Sequence, residues 1–105
     1  LEVLLEIHTQ QEFMTAANTP TTLLGINNRD LTTLQIDIQT TAKILQNTSS
    51  ENALKTKVIV SESGITAPQH IRELHRSGVH AFLVGSAIMK AQQPEETLRN
   101  LVMAI

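Results

Sequence analysis

Four short apolar runs alternate with helical patterns along the chain, and this alternation constrains the fold more than any other feature. The runs are VLLEI (3–7), TLLGI (22–26), KVIVSE (57–62) and HAFLVGS (80–86). Each is rich in Val, Ile or Leu and too short for a helix, so each reads as a buried strand. Between them, Thr9 caps a helix over Gln10 to Ala17. Ile38, Ala42 and Leu45 recur at helical spacing behind Asp37, a second cap. In TAPQHIRELHRSG, Thr66 caps, Pro68 sits in the first turn, Ala67, Ile71 and Leu74 form the stripe, and Gly78 stops the helix. A last helix opens at Gln93-Pro94, with Leu98, Leu101, Val102 and Ile105 on one face. The order β-α-β-α-β-α-β-α implies parallel strands joined by right-handed crossovers. Two α/β architectures satisfy it: a small doubly wound open sheet, or part of a (β/α)8 barrel. The polar loop NTSSENALKTK (47–57) is expected to be mobile.

At 105 residues the chain holds one domain at most. Its apolar residues are almost all Leu, Ile, Val and Ala, with two Phe and no Trp or Tyr, which suits a parallel sheet covered by helices. A net charge of −2, without a basic stripe or stacking aromatics, argues against nucleic-acid binding. The absence of cysteine excludes disulfides and thiolate metal sites and fits a cytoplasmic setting. No apolar run reaches the roughly 18 residues of a membrane span, and nothing resembles a signal peptide. Leu1 opens directly on an apolar run without Met, which reads as a cut end.

Parallel α/β proteins bind ligands at the carboxyl ends of their strands. Here those ends carry Glu6, His8 and Thr9; then Asn27, Asn28, Arg29 and Asp30; then Ser61, Glu62, Ser63 and Gly64; then Gly85 and Ser86. All four ends are expected on one face. Glu6 and Glu62 are carboxylates whose partial burial would raise their pKa and suit them to acid–base work. Gly64 and Gly85 allow backbone N–H groups to approach an anion, and Ser63 and Ser86 add hydroxyls. SAIMK after Gly85 can form a short helical turn, matching the phosphate pocket of (β/α)8 barrels. Arg29 can pair with a carboxylate. Each signal alone has a plain alternative: a solvated strand-edge Glu, an Asx turn at NNRD, or ordinary SG and GS turns. Their recurrence on consecutive strand ends makes the case. His8 reads as a loop residue, and His70, His75 and His80 as surface residues. No group has metal-ligand spacing, and no cofactor is implied.

LLEIHTQQEF, GINNRDLTTLQIDIQTT, VSESGIT and FLVGSAIM, in this order, resemble the C-terminal half of indole-3-glycerol-phosphate synthase, over essentially the whole chain. The resemblance implies residues 1–105 as strands five to eight of a (β/α)8 barrel, a half-barrel. It implies a cytoplasmic carboxy-lyase of tryptophan biosynthesis. That enzyme closes the pyrrole ring of 1-(2-carboxyphenylamino)-1-deoxyribulose 5-phosphate, losing CO2 and water. Glu6 then matches the fifth-strand glutamate, Asn27 the asparagine that orients the substrate, and Glu62 the seventh-strand glutamate. Arg29 matches an arginine of the same loop, and Ser63, Gly64, Gly85 and Ser86 match the phosphate pocket. Asn28 and Asp30 are expected to hold the loop.

A whole barrel needs roughly 250 residues. The family's lysine acid lies in the N-terminal strands, and Lys43, Lys55, Lys57 and Lys90 are not placed to replace it. The chain alone is therefore expected to be inactive or nearly so. Its exposed sheet edges are expected to pair with the N-terminal half or with a second copy of the chain, most simply as a dimer. Two other readings compete: a non-catalytic phosphate-binding module or folding fragment, and another phosphate-binding barrel such as a phosphoribosyl isomerase, which shares the glycine pocket but not the GINNRDL and SESGI motifs.

Overall fold

The computed structural model describes residues 1–48 and 54–105. The strands are β1 (Leu4–Ile7), β2 (Leu23–Asn27), β3 (Val58–Glu62) and β4 (Ala81–Leu83), and the helices are α1 (Gln10–Ala17), α2 (Gln39–Gln46), α3 (Pro68–Arg76), the single turn α4 (Ser86–Met89) and α5 (Pro94–Val102). All strand pairs are parallel, and each strand pairs with its neighbour in sequence order.

This arrangement decides between the two architectures left open by the alternation. The paired rows Leu5, Leu24, Ile59 and Ile7, Ile26, Ser61, Phe82 face one side. That side packs against Phe13 and Ala16 of α1, Ile44 of α2, Ile71 and Leu74 of α3 and Leu101 of α5 in one core. Every helix of eight or more residues thus covers the same face. A doubly wound sheet has helices on both faces and a reversal of strand order; a barrel segment has neither. The opposite face, with Leu4, Glu6, Leu23, Gly25, Asn27, Val58, Val60, Glu62, Ala81 and Leu83, is the inner face of a half-barrel. It has no covering layer among the described residues, so Leu4, Val58 and Leu83 are 38–56% exposed.

Local signals explain most element ends. Thr9 Oγ1 accepts the Glu12 N–H and Glu12 accepts the Thr9 N–H, a complete capping box. Gly78 has φ 108, and the N–H groups of Gly78 and Val79 reach back to His75 and Leu74, a Schellman stop. Four expectations need correction. Thr66 does not cap α3; its N–H instead donates to Nδ1 of His70, one turn ahead. Asp37 does accept an N–H, from Gln39, but Ile38 intervenes as the boundary residue. The deepest residues of α2 are Thr41 and Ile44, one position off the Ile38–Ala42–Leu45 stripe, because Thr41 has a polar partner in the core. On α5 only Leu101 is buried; Leu98 and Val102, and Ile105 beyond the helix end, remain exposed, with no cover among the described residues. HAFLVGS pairs only over Ala81–Leu83, and residues 49–53 of the polar loop lie outside the described residues.

Candidate active site

The residues at the strand ends divide by the alternation of the β backbone. Asn27 is the last residue of β2 and points to the inner face. Its amide nitrogen donates to Glu6 Oε1 at 2.9 Å, and its oxygen accepts from Ser63 Oγ at 2.7 Å and from the Arg29 N–H at 2.9 Å. One side chain thus ties β1, the β3 loop and its own loop together.

Glu62 pairs in register with Asn27, so both face inward. Its side chain crosses Gly25, where an added Cβ would stand 2.9 Å from Oε2 and 3.2 Å from Leu4. Glycine at position 25 is what lets the carboxyl lie flat on the sheet and reach Glu6. Glu62 is buried, and Oε2 has no hydrogen-bond partner other than what the two carboxyls can share. Burial first, then the hydrogen bond and negative charge of Glu6, push the Glu62 carboxyl up from 4.5 to about 7. The expectation that burial would raise both carboxyls fails at Glu6: the hydrogen bond from Glu62, then that from Asn27, outweigh burial and, with the nearby His8, hold it below the usual carboxylate range. The pair therefore shares a proton near neutral pH, with Glu62 as its holder.

A cleft of about 520 Å³ opens beside Glu62. Six of the residues singled out from the sequence line it: Arg29, Glu62, Ser63, Gly64, Gly85 and Ser86. Its loop is built under constraint. Ser63 has φ 74 and Gly64 φ 82. A Cβ on Gly64 would come within 2.5 Å of Ile36, which the loop after β2 lays across it. That loop returns as a small antiparallel bridge between Arg29 and Ile36. Asp30 holds the turn by accepting the N–H groups of Thr32 and Thr33.

The sequence reading missed two things here. Lys90, considered only as one of the lysines not placed to replace the family's acid, also lines the cleft. Its signal was its position four residues after Ser86, which returns it to the same side of the helical turn. Moreover, the strand ends do not all converge. Ser61 faces the helices, fully buried, and Asn28 points there with it. Asn28 donates to Ser61 Oγ and the Ser63 carbonyl and accepts from both the N–H and the hydroxyl of Thr41; Thr41 and Ser61 hydroxyls meet at 2.8 Å. This cluster holds the site from behind. His8, Thr9 and Asp30 line a second cleft between the loops after β1 and β2, with Arg29 on the boundary of both. His80, exposed as expected, gives its Nδ1 to the Ile59 N–H. Among the described residues no group of three or more metal-ligating side chains occurs, and no helix is long and apolar enough to cross a membrane.

Sequential parallel strands, helices on one face and polar groups at the carboxyl ends define a segment of a (β/α)8-barrel protein. Residues 1–101 match the family model for indole-3-glycerol phosphate synthase, and the chain belongs to that family. It is 41% identical over 104 residues to the indole-3-glycerol phosphate synthase of Desulforamulus reducens, covering 99% of this chain and 38% of the relative. It is 38% identical over 98 residues to that of Lachnospira eligens, covering 93% of this chain and 37% of the relative. The chain thus spans just over a third of the length of these relatives. A crystal structure of the Amycolatopsis orientalis BexX/CysO complex superposes with a TM-score of 0.73 at 18% identity, over 98% of this chain and 41% of that one, a likeness of fold alone.

Proposed function

We propose that residues 1–105 form the C-terminal half of the barrel of an indole-3-glycerol-phosphate synthase. The reaction is that of a carboxy-lyase in tryptophan biosynthesis: ring closure of 1-(2-carboxyphenylamino)-1-deoxyribulose 5-phosphate with loss of CO2 and water. The observation that carries this reading is the carboxyl pair, of which Glu62 lines the first cleft and Glu6 lies beside it on the inner face. Glu62, holding a proton near pH 7, is poised to give or take it, and Glu6 carries the negative charge that steadies a cationic intermediate. Asn27, fixed between Glu6 and Ser63, orients the substrate. Arg29 pairs with the substrate carboxylate. Backbone N–H groups at Ser63–Gly64 and Gly85–Ser86, with the Ser86 hydroxyl, take the phosphate, while the Ser63 hydroxyl holds Asn27.

The lysine acid of the family is expected from the strands outside this chain, so the chain by itself should turn over nothing measurable. The bare inner face and the open edges of β1 and β4 are the surface on which the N-terminal half, or a second copy, would close the barrel. The test is to mix the purified chain with the N-terminal half of a family member and follow formation of indole-3-glycerol phosphate. Turnover only in the mixture is expected. Turnover by the chain alone would overturn the missing-acid argument. Binding of inorganic phosphate without any turnover in the mixture would favour a non-catalytic phosphate-binding module.

A further inference from the structure

The carboxyl pair leaves one neighbour without a task. His8 follows β1 by one residue, and its ring lies between two carboxylates. Nε2 is 3.2 Å from Glu6 Oε1, and Nδ1 is 3.8 Å from Glu12 Oε1. Nε2 is buried and makes no hydrogen bond of good geometry, and the carboxylate oxygen it approaches is Glu6 Oε1. Glu12 is held in place by the N–H groups of His8 and Thr9. The ring is 23% exposed and opens into the second cleft, about 470 Å³, not the one beside Glu62. The charged groups facing it are Glu6 from β1, Glu12 from α1 and Asp30 from the loop after β2, with Arg29 and Asp37 further along the same cleft.

Glu62 has the opposite situation. It is buried, and its cleft is the one a substrate would fill. Glu6 is 41% exposed, but on the inner face, which becomes barrel interior once the remaining strands are in place. Glu6, and His8 beside it, are the titratable groups between Glu62 and the second cleft.

We propose that His8 is the outer end of a proton path, Glu62–Glu6–His8, which recharges the carboxyl pair from the second cleft while substrate occupies the first. To recharge, a proton from water binds Nδ1, the Nε2 proton passes to Glu6, and Glu6 hands a proton to Glu62. Discharge runs in reverse, and only N–H and O–H bonds form and break. His8 acts through Glu6, so it is a positioning residue rather than a catalytic one. The inference rests on the barrel reading above.

The experiment is His8→Gln in the full-length synthase, with kinetics at low and rising buffer concentration. Gln keeps a donor toward Glu6 but cannot carry a proton. We expect kcat to fall about tenfold with KM unchanged, less than the ~10²–10⁴ of losing an acid–base group itself. Added imidazole should restore kcat in proportion to its concentration. An unchanged kcat at low buffer, or a loss that no buffer restores, would overturn the relay. The ring of His8 can also be titrated by nitrogen NMR in the unaltered protein and in Glu62→Gln. A titration that shifts between the two is expected; identical curves would overturn the relay even if His8→Gln does not fold. Absence of turnover in the unaltered protein would count against the proposed reaction, and the ring titration would then decide the relay alone.

Discussion

Asn27 and Asn28 are identical residues one peptide apart, yet they do opposite jobs. Asn28 lies in the helix-side core, 2% exposed, with both atoms of its amide engaged by Thr41, Ser61 and Ser63. Asn27 lies at the inner surface and ties Glu6 to Ser63, beside Glu62, whose Oε2 makes no hydrogen bond outside the carboxyl pair. The difference is the period of the strand, which sends consecutive side chains to opposite faces. Polar groups with every bond made confer rigidity. Polar groups held in place but incompletely paired, as around Glu62, remain available to a substrate.

The comparison can be broken most forcefully at Asn28. Asn28→Ala leaves the Thr41 N–H and its neighbours without an acceptor or donor in the core, at roughly 1–3 kcal/mol for each orphaned group. A loss of about 3 kcal/mol in urea unfolding is expected. Asn27→Ala removes three hydrogen bonds that water can partly replace, so it should cost less, about 1 kcal/mol, while lowering kcat/KM of the full-length enzyme by roughly 10²-fold through misplacement of the substrate. Equal stability losses at the two positions would dissolve the distinction.

Gly64→Ala is next. It meets a positive φ, costing about 1–2 kcal/mol, as well as Ile36. Adding Ile36→Ala should recover the packing part and leave the backbone part, which thermal unfolding of the single and double variants can separate.

The carboxyl pair predicts a pH signature. Glu62 binds its proton more tightly folded than unfolded, so its contribution is fully present below 4.5 and is lost as pH rises toward about 7. The unfolding midpoint should therefore fall across that window, and Glu62→Gln should flatten the fall. An unchanged slope in the variant would mean that the proton resides elsewhere. The smallest effect is expected at Ser63→Gly. Relief of φ 74 should stabilise the fold slightly, by about 0.5 kcal/mol after the added chain entropy of glycine, while ligand binding in calorimetry weakens because Asn27 loses a donor.

Much of this was legible residue by residue. The strand period, the capping box at Thr9 and Glu12 and the stop at Gly78 depend on neighbours within a few residues, and these appear where the chain's own pattern puts them. The errors at Thr66 and Ser61 turned on local geometry, and those on the helices after β2 and at the C-terminus on long-range packing. Thr66 was displaced as a cap by His70, and the stripe of α2 was rotated by the partner that Thr41 found in Asn28 and Ser61. Ser61 looked like a site residue because it precedes Glu62, whereas strand alternation places it in the core. The apolar face of α5 was real but uncovered.

The amino-acid sequence by itself determined the βα alternation, the parallel sheet and the polar character of every strand end, because those follow from periodicity and turn chemistry. Only the tertiary structure decided that the described helices of eight or more residues cover one face, that Glu62 crosses Gly25 toward Glu6, and that His8 and Lys90 border different clefts. Those outcomes depend on distances between residues far apart in the chain, set by strand register and by which side of the sheet each side chain reaches.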